Sequence, residues 1–170
     1  MAAPPFPQQI VDLPDCQENW EHLSKPNPAA LLYSNTTQSI NNATITKVTY
    51  TTIQYQQGLI SPATGGDITI LVPGIYYCWG ECYFINGNAM SCLGIIAHNG
   101  LTDQDPLGAR VTSQATAVQD ATTNPSCFLK LARGDTVQQI AYQTSGVALN
   151  IGLVATNVAQ NKLGCVWLSP

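Results

Sequence analysis

Few side chains in these 170 residues are of a type and spacing that does chemistry. His22 and His98 are the only histidines, and no serine sits in a Gly-x-Ser-x-Gly elbow. A Ser, a His and an Asp can be picked from any chain of this length, so picking them carries no information. Glu81 is the one carboxylate in a long apolar and aromatic stretch, and acid–base work on a glycosidic bond needs two. Residue types therefore nominate no catalytic residue, and an enzyme is the least expected reading. Arg133-Gly134-Asp135 spells an integrin-recognition tripeptide, but Gly and Asp are also what a tight inter-strand turn requires, and the turn is the expected reading. Asn35-Thr36-Thr37 and Asn42-Ala43-Thr44 match glycosylation sequons, which matter only on secretion.

Six cysteines stand at positions 16, 78, 82, 92, 127 and 165, with no Cys-x-x-Cys among them. If Cys78 and Cys82 share a strand they lie about 13 Å apart at ~3.3 Å per residue, too far for a mutual disulfide or a common zinc ion. Their irregular spacing in a chain this long does not fit a stapled scaffold, so the five beyond the N-terminal segment read as buried small hydrophobes. No metal site and no cofactor is expected.

The elements that position these residues are organised around Val72-Pro73-Gly74 and the run Ile75 to Ile85. Successive strand side chains point to opposite faces, placing Tyr76, Cys78, Gly80, Cys82 and Phe84 on one side and Ile75, Tyr77, Trp79, Glu81, Tyr83 and Ile85 on the other. A half-exposed strand alternates apolar with polar, and this one does not. The density of aromatic residues favours a strand over a helix, bounded by Pro-Gly at its start and Asn86-Gly87-Asn88 at its end. It reads as a central strand covered on both faces, and the second cover asks for another layer or another copy.

The length suits one domain with a substantial core. Only 9% of the residues are charged and 45% are hydrophobic, a combination that argues for a folded chain whose polarity comes from Thr, Asn, Gln and Ser. A net charge of −4 without a basic stripe gives nucleic-acid binding no electrostatic support, and no apolar run reaches the roughly 20 residues of a membrane helix. The first residues lack the basic start and apolar core of a secretion signal, which predicts synthesis and folding in a reducing cytosol.

Residues 1–28 read as an extended arm. Pro4, Pro5, Pro7, Pro14, Pro26 and Pro28 interrupt any ladder or long helix. Asp15-Cys16-Gln17-Glu18 has the form of a helix start, and Cys16, Trp20 and Leu23 then share one face of a short helix that must dock to be stable. Phe6, Ile10, Leu13, Cys16, Trp20 and Leu23 are the expected attachment residues. From 29 to 170 the pattern is short strands separated by turn residues. Strands are expected near 30–35, 44–57, 67–72, 75–85, 89–97, 108–114, 126–132, 136–143, 149–156 and 163–168, with turns at Ser61-Pro62, Asn99-Gly100, Asn124-Pro125, Gly134-Asp135 and Ser145-Gly146. The fold class is all-β, an antiparallel two-sheet sandwich.

Val72-Pro73-Gly74-Ile75-Tyr76-Tyr77, the Asn99-Gly100 strand end, Leu129-Lys130-Leu131-Ala132-Arg133-Gly134-Asp135-Thr136-Val137 and the terminal Gly164-Cys165-Val166-Trp167-Leu168 together resemble the trimeric jelly roll of the complement and tumour necrosis factor type. The likeness runs from about Thr46 to Leu168 and departs at Cys78, where the family usually has Phe, and in having no collagen stem. It implies a homotrimer whose threefold interface is the outer face of the inner sheet, here Ile75, Tyr77, Trp79, Glu81 and Tyr83, with Trp167 contributing from the last strand. Glu81 there needs a symmetry mate or another polar partner.

A second, short resemblance is to arms of bacteriophage particle proteins, carried by Gln17-Glu18-Asn19-Trp20-Glu21-His22-Leu23. Together the two imply a virion structural protein, a capsid decoration or cementing trimer anchored by its arm. Its partners would be its own copies and the major capsid protein or other virion proteins, and it would reside in the virion after assembly in the host cytoplasm. The alternatives are a tail-fibre or spike head binding a receptor or glycan through loops 101–107 and 115–125, and an extracellular cytokine-like ligand.

Overall fold

A computed structural model describes residues 27–58, 60–63, 65–87, 90–100, 108–115, 119–152 and 161–170. Residues 1–26 of the arm, with its expected helix, lie outside them, as do loop 101–107 and the second half of the strand expected at 149–156. The described residues contain fourteen strands: β1 (Ala29–Tyr33), β2 (Gln38–Ile40), β3 (Thr46–Lys47), β4 (Thr52–Gln57), β5 (Ile60–Ala63), β6 (Asp67–Ile70), β7 (Gly74–Gly87), β8 (Met90–His98), β9 (Ala109–Ala115), β10 (Gln119–Thr123), β11 (Ser126–Leu131), β12 (Thr136–Gln143), β13 (Leu149–Ile151) and β14 (Lys162–Ser169).

They form two antiparallel sheets. The eight-stranded sheet runs β2-β13-β7-β14-β1-β4, with β10 and β11 on the other edge of β7. The six-stranded sheet runs β5-β6-β12-β8-β9, with β3 added to β12. The aromatic run therefore is the central strand, bonded along both edges. Its even-numbered face supplies buried Tyr76, Cys78, Cys82 and Phe84, which pack with Leu32, Leu163 and Cys165 of the same sheet and with Ile68, Ile70, Ile96 and Val137 of the other. Each fully buried Leu or Ile contributes about 1.5–3 kcal/mol relative to exposure. A second cluster, Leu93, Ile95, Ala97 and Ile140 with Tyr142 against it, lies on the alternate residues of β8 and β12.

Four expectations about elements are corrected. The single strand at 44–57 is two, β3 in the smaller sheet and β4 in the larger. Between them the chain crosses the sandwich: Val48 N–H donates to the Gln139 carbonyl at 2.9 Å, and Thr51 N–H to that of Tyr33 at 3.2 Å. Buried Tyr50 pins the crossing by donating its hydroxyl to Gln139 Oε1. Ser61-Pro62 is not a turn but part of β5, an edge strand, where a proline costs no ladder bond on its open side. Asn124-Pro125 separates two strands that both pair with β7, and residues 119–123, expected in a loop, are β10. The short strand β2 had no signal in its sequence, Gln-Ser-Ile.

Candidate self-association face

The odd-numbered face of β7 looks away from the core, and the ladder registers fix what surrounds it. Cross-strand partners share a face. One row across the sheet is Ala29, Val166, Tyr77 and Phe128; the next is Leu31, Gly164, Trp79 and Ser126; the third is Tyr33, Lys162 and Glu81. Tyr77 and Trp79 stack with ring centroids 5.7 Å apart, and Tyr77 meets Phe128 at 5.3 Å. Phe128 is 68% exposed, Leu168 47% and Ile75 37%. Tyr77, Trp79, Val166 and Pro125 also line a depression of about 660 Å³ beside this cluster.

Local sequence explains the arrangement. Gly164 has no side chain because the indole of Trp79 lies where its Cβ would be, so glycine lets the ring lie against the sheet. Glu81 finds its polar partner within its own chain: Lys162 Nζ donates to Glu81 Oε2 at 3.1 Å. Tyr83 donates its hydroxyl to the Asp120 carboxylate on β10, and that bond, with burial and the carboxylate's charge, pushes the phenol up to about 12.

Of the residues expected at an interface, Ile75, Tyr77, Trp79, Glu81 and Tyr83 do share one face. Trp167 does not. The pleat pairs it with buried Tyr76, it packs against the core, and its indole N–H donates to the Pro73 carbonyl at 3.3 Å. Val166, one residue earlier, takes the outward place. Phe128 was missed, although buried Leu129 and Leu131 in the same strand put it and Lys130 on alternating positions. Phe6, Ile10, Leu13, Cys16, Trp20 and Leu23 lie outside the described residues.

No protein-family model and no curated protein matches the chain. Solved structures do. Murine APRIL at pH 5.0 matches with a TM-score of 0.63 and 15% identity, over 84% of this chain and 100% of that one. Eiger TNF from S. frugiperda matches with a TM-score of 0.59 and 14% identity, over 85% and 94%. The globular domain of zebrafish complement 1qA protein matches with a TM-score of 0.56 and 16% identity, over 83% and 96%. The fold is a TNF/C1q-like jelly roll. At these identities the likeness speaks for the fold, not for partners or for a phage particle.

Elsewhere on the jelly roll, Arg133-Gly134 forms the turn between β11 and β12, with Gly134 at a φ of 94°. Asp135 faces back into it: Oδ1 accepts from Asn99 Nδ2 and Oδ2 from Ala132 N–H, both at 2.7 Å, and His98 Nε2 is 3.1 Å from Oδ2. The Asn99 bond, helped by those from Ala132 and His98, lowers the Asp135 carboxyl despite its burial. This His–Asp pair closes a turn. Among the described residues no group of three or more His, Cys, Asp or Glu is placed to hold a metal ion, and no helix is long and apolar enough to cross a membrane.

Proposed function

We propose that the chain is a binding protein without catalysis that works as a homotrimer, its subunits joined through Ile75, Tyr77, Trp79, Glu81, Tyr83, Phe128 and Val166. The observation that carries this reading is the open aromatic cluster of Phe128, Tyr77 and Trp79 on a sheet whose other face already closes the core. Tyr and Trp are the residues on which interface energy concentrates. The Glu81–Lys162 pair beside it offers polar contacts at the rim.

For the setting of this trimer we propose a bacteriophage particle, with residues 1–28 as the attachment arm and the jelly roll as decoration or cement. This rests on the low charge, the Thr, Asn and Gln content and the Gln17 to Leu23 element. Many weak contacts on a lattice combine through avidity, which suits a protein of this kind. A second reading, a receptor-binding ligand, is favoured by the fold likeness to APRIL and Eiger TNF.

The copy number in purified particles separates them: hundreds of copies support a capsid lattice, a handful a tail or spike, and none the free ligand. The arm is tested by deleting residues 1–28 and measuring binding to particles that lack the protein. A folded trimer that no longer binds supports attachment. Full occupancy by the truncated trimer overturns it, as does a truncated chain that unfolds.

A further inference from the structure

On the core side of the larger sheet, directly behind the aromatic face, three cysteines stand in one row. Cys78 on the central strand pairs in register with Cys165 on β14 along one edge and with Cys127 on β11 along the other. Directly opposed residues of antiparallel strands have Cα atoms about 4.5–5.5 Å apart, inside the range that a disulfide bridges. Cys78 and Cys165 Sγ atoms are 2.9 Å apart and both residues are fully buried. Cys127 is part-buried on an outer strand of the sheet, so the row has one end within reach of solvent.

We propose that this row is a disulfide-forming site: Cys78 and Cys165 are the bonded pair, and Cys127 is the thiol through which a small disulfide oxidant of the glutathione type reaches them. The steps are ordinary thiol–disulfide exchange. Cys127 thiolate attacks one sulfur of the oxidant, whose S–S bond breaks, and one glutathione leaves as thiolate and takes up the released proton. Cys78 then attacks Cys127 Sγ in the mixed disulfide, and the second glutathione leaves. Finally Cys165 attacks Cys78 Sγ, the Cys78–Cys127 bond breaks, and Cys127 returns as a thiol. Two protein thiols are oxidised, and the oxidant is reduced to two thiols.

The order of the row decides this sequence. Cys78 is the central sulfur, with Cys127 on one side and Cys165 on the other, so the incoming and leaving sulfurs approach it from opposite sides. The hydrogen bond with Cys165 and burial push the Cys78 thiol well up, keeping it neutral and the exchange slow at neutral pH. Once formed, the bond closes an 87-residue separation between the central and last strands. It constrains the unfolded chain and holds Val166 and Gly164 beside Tyr77 and Trp79.

The test incubates the folded, reduced full chain with oxidised glutathione, then denatures it, alkylates the remaining thiols and maps the peptides. The expected product has lost two hydrogens, about 2 Da, carries a Cys78–Cys165 link, and shows a raised urea midpoint. Cys165→Ala is expected to stop at the Cys78–Cys127 link. Cys127→Ser is expected to oxidise much more slowly when folded, yet to form Cys78–Cys165 when refolded with the same oxidant. Six alkylated thiols after prolonged incubation, or a different dominant pair, overturns the site. Oxidation of folded Cys127→Ser at the wild-type rate overturns the route through Cys127.

Discussion

Phe128→Ser separates the interface from the fold, because the side chain is 68% exposed in the subunit. An aromatic side chain carries about 150–250 Å². Taking about 200 Å², some 140 Å² remain to be covered by a partner, worth about 3.5 kcal/mol at ~25 cal/mol per Å². Three copies lose about 10 kcal/mol per trimer, roughly seven decades in the association constant at 1.4 kcal/mol per decade. Dissociation to three monomers scales with the square of concentration, so the midpoint concentration rises by about three to four decades. Within the subunit the loss is mainly the ring pair with Tyr77, about 1 kcal/mol. Sedimentation equilibrium over a dilution series, beside a urea melt of the monomer, reads both. A variant that dissociates at the wild-type concentration refutes the placement of Phe128 in the interface.

Gly164→Ala is expected to lift the Trp79 indole from the sheet and weaken the trimer by at least the hot-spot threshold of about 2 kcal/mol, read by tryptophan fluorescence and sedimentation. Tyr50→Phe removes the partner of buried Gln139 Oε1 and should cost about 1–3 kcal/mol in a urea melt; an unchanged midpoint contradicts the bond. Asp135 has a folded pKa below its unfolded one, so its contribution is complete above about pH 4 and is lost as pH falls through the lowered value. Asp135→Asn should therefore be less stable at neutral pH and show a flatter acid limb in thermal melts against pH.

The central strand was legible because its run of aromatic and β-branched residues is long and is bounded by Pro73-Gly74 and Asn86-Gly87. The all-β class followed from short β-rich runs between turn residues. What the sequence withheld was register. Trp167 reads as an outward aromatic until β14 is set against β7, and then the pleat pairs it with Tyr76 and gives the face to Val166. The meeting of Cys78 with Cys165 depends on the same register and cannot be seen in their spacing. The crossing at Val48 to Thr51 hides in a run of β-branched and aromatic residues that suits either sheet, and only its hydrogen bonds to both divide it. Pro62 misled because a proline in an edge strand and one in a turn look alike in sequence.

The most direct measurement is the solution mass of the wild-type chain by sedimentation equilibrium at micromolar concentration. A homotrimer joined through the outward face of the larger sheet predicts three times the 18.2 kDa chain mass, falling toward one chain mass in the Phe128→Ser variant. A wild-type protein that sediments at 18.2 kDa with the Phe128, Tyr77 and Trp79 cluster open to solvent contradicts it.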